Sequence, residues 1–233
     1  MTALLAARGI WKVFAGGDGQ PLEVLRSVEL EVHRGEFVAI VGASGAGKST
    51  LLHLLGALDR PTGGDVWLDG SRYADLDAAA LAELRNRKVG FVFQFHHLLR
   101  EFTALENVMM PLLIAGVGER EARSRAEERL SAVGLAGRMT HRPGELSGGE
   151  QQRCAVARAL VHDPSLVLAD EPSGNLDHAN GERLHEVLFR LAREYETAVV
   201  VVTHNRQLAG RADRILLLEE GRLARVSSVD AIP

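Results

Sequence analysis

The clearest chemical pattern in the chain is a glycine-rich stretch between an apolar run and a segment of helix-forming residues. It reads Gly42-Ala43-Ser44-Gly45-Ala46-Gly47-Lys48-Ser49-Thr50. In the order strand, loop, helix, the spacing G-x-x-x-x-G-K-[ST] is that of a phosphate-binding loop, whose backbone N–H groups turn onto phosphate oxygens. Lys48 adds a charge for the β and γ phosphates, Ser49 offers a hydroxyl to Mg²⁺, and the helix dipole favours the same anion. The stretch therefore predicts a site for a nucleotide with Mg²⁺.

Polar residues also follow three other apolar runs. Gln94 follows residues 89–93, Asp170 and Glu171 end the run from 165, and His204 ends the run from 198. Ligands of open α/β sheets sit beyond the carboxyl ends of the strands, so these residues and the glycine-rich loop are expected to converge. The convergence predicts hydrolysis of a Mg-nucleotide, which requires phosphate donors, a metal anchor and a group that orients water.

Each of these residues has an expected role. Asp170 anchors the metal together with Ser49, Gln94 touches both Mg²⁺ and water, and Glu171 accepts a proton from the attacking water. His204 hydrogen-bonds the γ-phosphate. Taken singly, each has a plainer alternative, since adjacent acids after a strand are often a helix cap and a lone histidine is often structural. Phe14 is open in the same way, because it either stacks on an adenine ring or belongs to the core.

A second helix start resembles an anion site. Ser147 is a plausible N-cap, and backbone N–H groups are exposed at Gly148 and Gly149. One nucleotide needs only one phosphate loop. A dimer resolves this excess, because residues 147–149 of one copy can close over the nucleotide held by the other copy.

The elements that must position these residues indicate an α/β fold. Short strand-like runs from residue 4 to 38, including the alternating Val28–Val32, predict an antiparallel β-subdomain in front of a parallel sheet flanked by helices. A largely helical block without a strong strand separates the run at 89–93 from the one at 165. We expect one domain over residues 1–233, with a core at 1–94 and 160–233 and an inserted helical subdomain with the second helix start at about 95–159.

Bulk properties exclude several classes of protein. The 233 residues are 46% hydrophobic and 25% charged, and no apolar run approaches the ~20 residues of a spanning helix. The first eight residues lack the basic leader of a signal peptide, and a single cysteine, Cys154, fits a reducing compartment, so we expect a cytoplasmic location. The net charge of −4 gives no basic surface for nucleic acid, which is not expected as a partner.

Together these motifs resemble the ATP-binding subunits of ABC transporters over essentially the whole chain. Residues 42–50 resemble Walker A, Gln94 the Q-loop and residues 146–151 the family signature. Residues 166–170 with Glu171 resemble Walker B and its catalytic acid, residues 175–177 the D-loop, and His204 the switch histidine. The resemblance implies a P-loop NTPase core, ATP and Mg²⁺ as cofactors, a homodimer, adenine stacking by Phe14 and a nucleotide contact by Asp177.

Within the family, the chain is similar to the lipoprotein-releasing and macrolide-export group. This similarity rests on residues 93–99, which include His96-His97, and on residues 102–108 and 141–143. Ser173, where threonine is common, and Asn205, where an acid is common, are departures that remove no catalytic group.

This second resemblance implies a peripheral ATPase on the cytoplasmic face of the bacterial inner membrane. It would drive lipoprotein release through integral membrane subunits contacted by Gln94 to Met110, which adjoins the nucleotide site. The alternatives are a macrolide or peptide exporter, a cell-division complex, and a nucleotide-gated module acting on DNA or ribosomes. A fused exporter would need membrane helices, and DNA-repair relatives insert a long coiled coil that this chain lacks.

Overall fold

The computed structural model describes residues 3–17 and 19–226. Met1 and Thr2, which belong to the start considered for a signal peptide, lie outside the described residues, as does Asp18. The strands are β1 Leu5–Ala15, β2 Pro21–Val32, β3 Phe37–Val41, β4 Gly63–Leu68, β5 Ser71–Arg72, β6 Val89–Phe93, β7 Leu166–Asp170, β8 Ala198–Val202, β9 Arg214–Glu219 and β10 Arg222–Val226. The helices are α1 Lys48–Leu55, α2 Ala78–Lys88, α3 Ala104–Ile114, α4 Glu119–Ala132, α5 Gly148–Leu160, α6 His178–Tyr195 and α7 Arg206–Gly210.

Two sheets organise the molecule. The first is antiparallel with the order β2-β1-β4-β5, and the second has the order β10-β9-β3-β8-β7-β6. In the second sheet β9, β3, β8, β7 and β6 run parallel, and only β10 pairs antiparallel, at the edge. This arrangement confirms the predicted α/β fold with an antiparallel β-sheet ahead of a parallel core.

The central strand β3 is buried on both faces of the second sheet. Phe37, Ala39 and Val41 belong to one hydrophobic core, which includes residues of α3, α4, α5 and α6. Val38 and Ile40 belong to the other, formed with β1, β2, β4 and α1. Successive side chains of a strand point to opposite faces, so a continuous apolar run with two buried faces is the pattern of an internal parallel strand. The strand that leads into the glycine-rich loop is therefore fixed from both sides.

The block between β6 and β7 is helical, with α3, α4 and α5 packed on one another through buried residues that include Ala104, Val108, Ala126 and Leu130. Cys154 lies in α5 with no exposed surface, and its thiol is 3.7 Å from the Ala104 carbonyl oxygen. Burial raises the pKa of this thiol to about 12. Among the described residues, no helix is both long enough and apolar enough to cross a membrane.

Helix α6 begins at His178, because the Asp177 carboxylate accepts a hydrogen bond from the Asn180 N–H and caps it. Two strand ends differ from the sequence-based expectation. The strand expected to reach His204 ends at Val202, so the histidine lies in the loop that follows. Strand β7 likewise ends at Asp170, one residue before the second acid.

Candidate nucleotide site

The glycine-rich loop joins β3 to α1, and glycine is required at two of its positions. Gly42 and Gly47 have φ angles of +154° and +98°. A Cβ added to Gly42 would lie 2.3 Å from the Leu218 carbonyl oxygen, and one added to Gly47 would lie 2.8 Å from the Val24 side chain. Neither position tolerates a side chain without moving a neighbouring strand. The loop is thereby held against β9 and β2 at the start of α1.

The first turn of α1 is open to an anion. Gly47 caps α1 and provides no side-chain hydrogen bond, so the first N–H groups of the helix have no side-chain cap. The Lys48 ammonium donates to the carbonyl oxygens of Gly42 and Ala43 at 2.8 and 2.9 Å. Ser44 and Ser49 are exposed beside it. The loop thus offers backbone donors, an ammonium group and hydroxyls on one surface, which is the donor set that phosphate requires.

The other candidate residues follow strands that are in register with one another. Phe93, Asp170 and Val202 are direct partners across β6, β7 and β8, and the Thr203 N–H donates to the Ile40 oxygen in β3 at 3.1 Å. Gln94, Glu171 and the loop containing His204 therefore emerge at the same sheet edge as the glycine-rich loop. This is the carboxyl edge, where open α/β sheets bind ligands.

The Glu171 carboxylate accepts two hydrogen bonds from the loop after β8, and the His204 ring lies beside it. The His204 Nδ1 lies 2.8 Å from Glu171 Oε1, while the Thr203 hydroxyl and the His204 N–H donate to Oε2 at 3.2 and 3.3 Å. Glu171 itself has a φ of +43°, in the left-handed region that non-glycine residues seldom adopt. Its side chain is largely buried, whereas 72% of the His204 side chain is exposed. The structure thus pairs the candidate base directly with the candidate switch histidine.

Gln94 is tied to the loop after Glu171. Its Nε2 donates to Asn175 Oδ1 at 3.3 Å, and the Asn175 Nδ2 donates to the Gln94 backbone oxygen at 3.1 Å. Because Nε2 is engaged in this pair, the Gln94 Oε1 is the atom suited to a cation. A hydroxyl, an amide oxygen and a carboxylate from Ser49, Gln94 and Asp170 are the hard oxygen donors that Mg²⁺ prefers, so the donor set fits this ion.

Ser147 caps α5 through a reciprocal pair of side chains. Its hydroxyl accepts from the Glu150 N–H at 3.3 Å, and the Glu150 carboxylate accepts from the Ser147 N–H and hydroxyl at 2.8 Å each. The Ser147 hydrogen bonds and the Arg138 guanidinium lower the pKa of Glu150 to about 2. Ser147 and Gly148 are exposed. Among the hydrogen bonds of the described residues, none joins residues 147–149 to the glycine-rich loop of the same chain.

Asp177 lies at the start of α6, beside the start of α5. It accepts from both the N–H and the side-chain amide of Asn180, and these bonds lower the pKa of its carboxyl. Asn180 in turn accepts from Arg153 of α5 at 3.1 Å, and a Cβ added to Gly149 would lie 2.8 Å from Asn180. The candidate D-loop and signature segments are therefore packed together within one chain.

Phe14 lies near the end of β1, with 40% of its surface exposed. It pairs with Leu22 of β2, the strand whose Val24 contacts Gly47. The Lys12 ammonium lies 4.8 Å from the centroid of its ring. Phe14 is thus an exposed aromatic beside the strand that supports the phosphate loop.

Three residues of this site make contacts that the sequence motifs do not predict. Thr203 donates to Glu171, Asn175 pairs with Gln94, and Gln152 is a buried amide of α5. Thr203 had a signal, since it is the first polar residue after four valines. Asn175 contacts Gln94, 81 positions away, and Gln152 contacts Phe93, 59 positions away, so only the fold brings these residues together.

A phosphate loop and a carboxylate with its histidine at one edge of a parallel sheet define a P-loop nucleotide hydrolase. The family model described as ABC transporter matches residues 25–174. The chain belongs to this family, whose members are ATPases, and the recognition made from the motifs is confirmed.

Named relatives and solved structures cover nearly the whole chain. The chain is 55% identical to the lipoprotein-releasing system ATP-binding protein LolD of Geobacter metallireducens, over 96% of this chain and 99% of the relative. It is 49% identical to the LolD of Legionella pneumophila strain Lens, over 94% and 96%.

Two solved structures of MJ0796 have the same fold. One is described as the dimeric structure of this bacterial ABC transporter cassette, and the other as a dimeric post-hydrolysis state bound to ADP and Pi. Their TM-scores are 0.88 and 0.89, each at 40% identity over 97% of this chain and 98% of the other. The ABC ATPase fold expected from the sequence is confirmed.

Proposed function

We propose that this chain is the ATPase of a lipoprotein-releasing transporter of the bacterial inner membrane, bound peripherally to its cytoplasmic face. The observation that carries the proposal is the 55% identity to a lipoprotein-releasing ATP-binding protein along 96% of the chain. Release toward a periplasmic carrier would use membrane subunits of the LolC/LolE-like kind.

The chemistry follows from the residues at the carboxyl edge of the sheet. ATP phosphates bind the amides of residues 42–50 and the Lys48 ammonium, which in the present structure rests on two loop carbonyls. Glu171 takes the proton of the attacking water, and His204 contacts the γ-phosphate. Ser49, Gln94 and Asp170 hold Mg²⁺, which neutralises charge on the phosphate oxygens when bound.

The complete site requires two copies of the chain. Ser147 and Gly148 are exposed at the start of α5, with Gly149 buried behind them, contrary to the exposure expected from sequence. The helix dipole favours an anion at this position. In the proposed dimer these residues close over the γ-phosphate held by the other copy, with Asp177 near the junction and Phe14 against the adenine. The dimeric structures of a 40% identical cassette support this arrangement.

The proposed surface for the membrane subunits is the segment from Gln94 to Met110. Three large apolar side chains are exposed there, with Phe95 at 67%, Leu99 at 42% and Phe102 at 37%. Large apolar side chains left exposed on one short segment favour a docking site for another protein. Because the segment begins at Gln94, a partner bound there adjoins the nucleotide.

Purification of the tagged chain from its native membrane tests the proposal. We expect two integral membrane proteins to co-purify, with lipoprotein bound to them when hydrolysis is blocked by Glu171→Gln. A matched sample with a tagged Glu186→Gln chain, altered at an exposed α6 carboxylate paired with Arg211, should release its lipoprotein in the presence of ATP. Co-purification with a drug or peptide exporter, or with cell-division proteins, would contradict the proposed cargo and leave the ATPase assignment in place.

A further inference from the structure

Gln152 is a buried amide that reaches three separate segments of the nucleotide site. It lies in α5 with 1% of its surface exposed. Its Nε2 donates to the Phe93 oxygen at 3.1 Å and to the Pro172 oxygen at 2.8 Å, and its Oε1 is 2.5 Å from His96 Nδ1. Both hydrogens of the amide nitrogen and its oxygen are thus used. Such a fully satisfied group is fixed in one orientation.

The partners determine which way the amide points. Two backbone carbonyls can only accept, so the nitrogen must face them and the oxygen must face His96. His96 Nδ1 must then carry a proton and donate it to the amide oxygen. Methionine at position 152 would fill a similar volume but would leave all three partners without their bond.

Two of the three partners of Gln152 are next to residues of the proposed mechanism, and the third lies in the proposed docking segment. Phe93 precedes Gln94, and Pro172 follows Glu171. His96 belongs to the exposed apolar segment proposed for the membrane subunits. A second side chain of α5, Arg158, also holds this segment, since it donates to the oxygens of His96 and His97 at 2.7 Å. Arg158 touches neither Phe93 nor Pro172 through any hydrogen bond of the described residues.

We propose that Gln152 is a positioning residue that joins the His96 segment to the loop after Glu171 and so sets the alignment of Glu171 for hydrolysis. Movement of the His96 segment reaches the Pro172 carbonyl through one rigid amide, without passing through the nucleotide. The inference rests on the proposed role of Glu171 as the base. A misplaced catalytic group lowers turnover more than nucleotide affinity.

Gln152→Met and the matched control Arg158→Met, both in the full chain, separate positioning from packing. We expect Gln152→Met to lower kcat about tenfold, with the KM for ATP within about twofold. The amides of Gly174 and Leu176, which donate to the oxygens of Glu171 and Ser173, should exchange with deuterium about tenfold faster. Arg158→Met should keep kcat within about twofold and leave these exchange rates unchanged. This should hold even if Arg158→Met lowers the Tm as much as Gln152→Met does.

Three results would overturn the inference. The first is deuterium exchange at the wild-type rate at Gly174 and Leu176 in Gln152→Met. The second is an equal change of kcat and exchange in Gln152→Met and Arg158→Met. The third is a fall in the Tm of Gln152→Met without a change in its kcat. If Gln152→Met does not fold, Gln152→Asn, which keeps the amide on a shorter side chain, is scored in the same way. Glu171→Gln is measured in parallel. Normal hydrolysis by Glu171→Gln would refute the role of Glu171 as the base. Deuterium exchange at Gly174 and Leu176 in Gln152→Met would still decide whether Gln152 positions the loop after Glu171.

Discussion

Hydrogen bonds hold the Glu171 carboxylate in one place, as a general base requires. The Thr203 hydroxyl and the His204 N–H donate to its Oε2, and the His204 Nδ1 lies 2.8 Å from its Oε1. The left-handed backbone conformation of Glu171 costs about 1–3 kcal/mol of conformational free energy. The fold maintains it with the bond from the Glu171 N–H to the Val202 oxygen at 2.9 Å.

The first prediction concerns Glu171→Gln, which keeps the size of the side chain but removes the proton acceptor. We expect ATP binding to persist and turnover to fall by about 10²–10⁴-fold, the range of general base catalysis. A dimer should accumulate with ATP, because closure no longer ends in hydrolysis. Hydrolysis assays and size-exclusion chromatography with ATP measure both effects.

The control for this prediction is Glu186→Gln, at an exposed carboxylate of α6 that pairs with Arg211. Its turnover should match that of the wild type, because surface ion pairs contribute little. Ordinary turnover by Glu171→Gln would remove Glu171 as the base.

At the scale of elements, the start of α5 depends on an ionised Glu150. Hydrogen bonds from Ser147, with the Arg138 guanidinium, lower its pKa from an ordinary value of 4.5 to about 2. Because the pKa of Glu150 is lower in the folded chain than in the unfolded chain, the ionised carboxylate stabilises the fold fully at pH values above the unfolded pKa. This stabilisation is lost as the pH falls from about 4.5 toward 2.

The second prediction is that Glu150→Gln flattens the acid limb of the stability curve. The free energy of unfolding of the wild type should fall from pH 5 to pH 3 more steeply than that of the variant, whose amide does not titrate. Urea unfolding at each pH measures the difference. Glu128→Gln, at an exposed carboxylate of α4, should follow the wild type. Parallel curves for the wild type and Glu150→Gln would refute the role of this carboxylate.

The elements that bear motifs were predictable from sequence because their signals are local. The glycine spacing of residues 42–50 and the N-cap at Ser147 each specify a turn followed by a helix. The edge strand β10 and the short helix α7 carry no such pattern. Helix α7 has five residues and is capped by Asn205, whose side chain accepts a hydrogen bond from the Leu208 N–H. Asn205, which departs from the family pattern, therefore has a capping role.

The site itself was predictable only in part, because its bonds join distant positions. The convergence of strand ends follows from the topology of a parallel sheet, and the structure has Gln94, Asp170 and Glu171 at that edge. The close approach of the His204 ring to the Glu171 carboxylate was not predicted, since it depends on β8 ending at Val202. The roles of the site residues and the domain boundaries at about 95 and 160 stay predictions.

At the scale of the whole molecule, each proposed site is built from two copies of the chain. Two variants that are inactive for different reasons can therefore form an active site together. The third prediction is that a mixture of Lys48→Ala and Ser147→Arg hydrolyses ATP although neither variant does so alone. A mixed dimer combines both lesions in one site and leaves the other intact. Random pairing therefore restores up to about a quarter of wild-type activity. Activity against mixing ratio is the measurement.

The control mixture is Lys48→Ala with Glu171→Gln. Both lesions lie on the same side of the proposed site, so every mixed dimer has one defect in each site and no activity should return. Recovery in this control, or none with Ser147→Arg, would mean that the site is not shared between copies as proposed.

The fourth prediction concerns the apolar segment around Phe95. Phe95→Ser should reduce co-purification of the membrane subunits at least about tenfold, because an apolar anchor is lost, while basal ATP hydrolysis stays within about twofold. Ile114→Ser is the matched control, since Ile114 is 71% exposed and lies outside residues 94–110. Equal loss of the partners in both variants would argue against a docking surface confined to residues 94–110.

The buried thiol of Cys154 makes the native chain a ready background for site-specific labelling. Its pKa of about 12 and lack of exposed surface keep it unreactive toward maleimides near neutral pH. A cysteine placed at an exposed position outside the nucleotide site, such as Glu128→Cys on α4, would therefore be the one reactive thiol of the chain. Paired spin or fluorescent labels at that position would report the approach and separation of two copies through the ATP cycle, with no cysteine removed first.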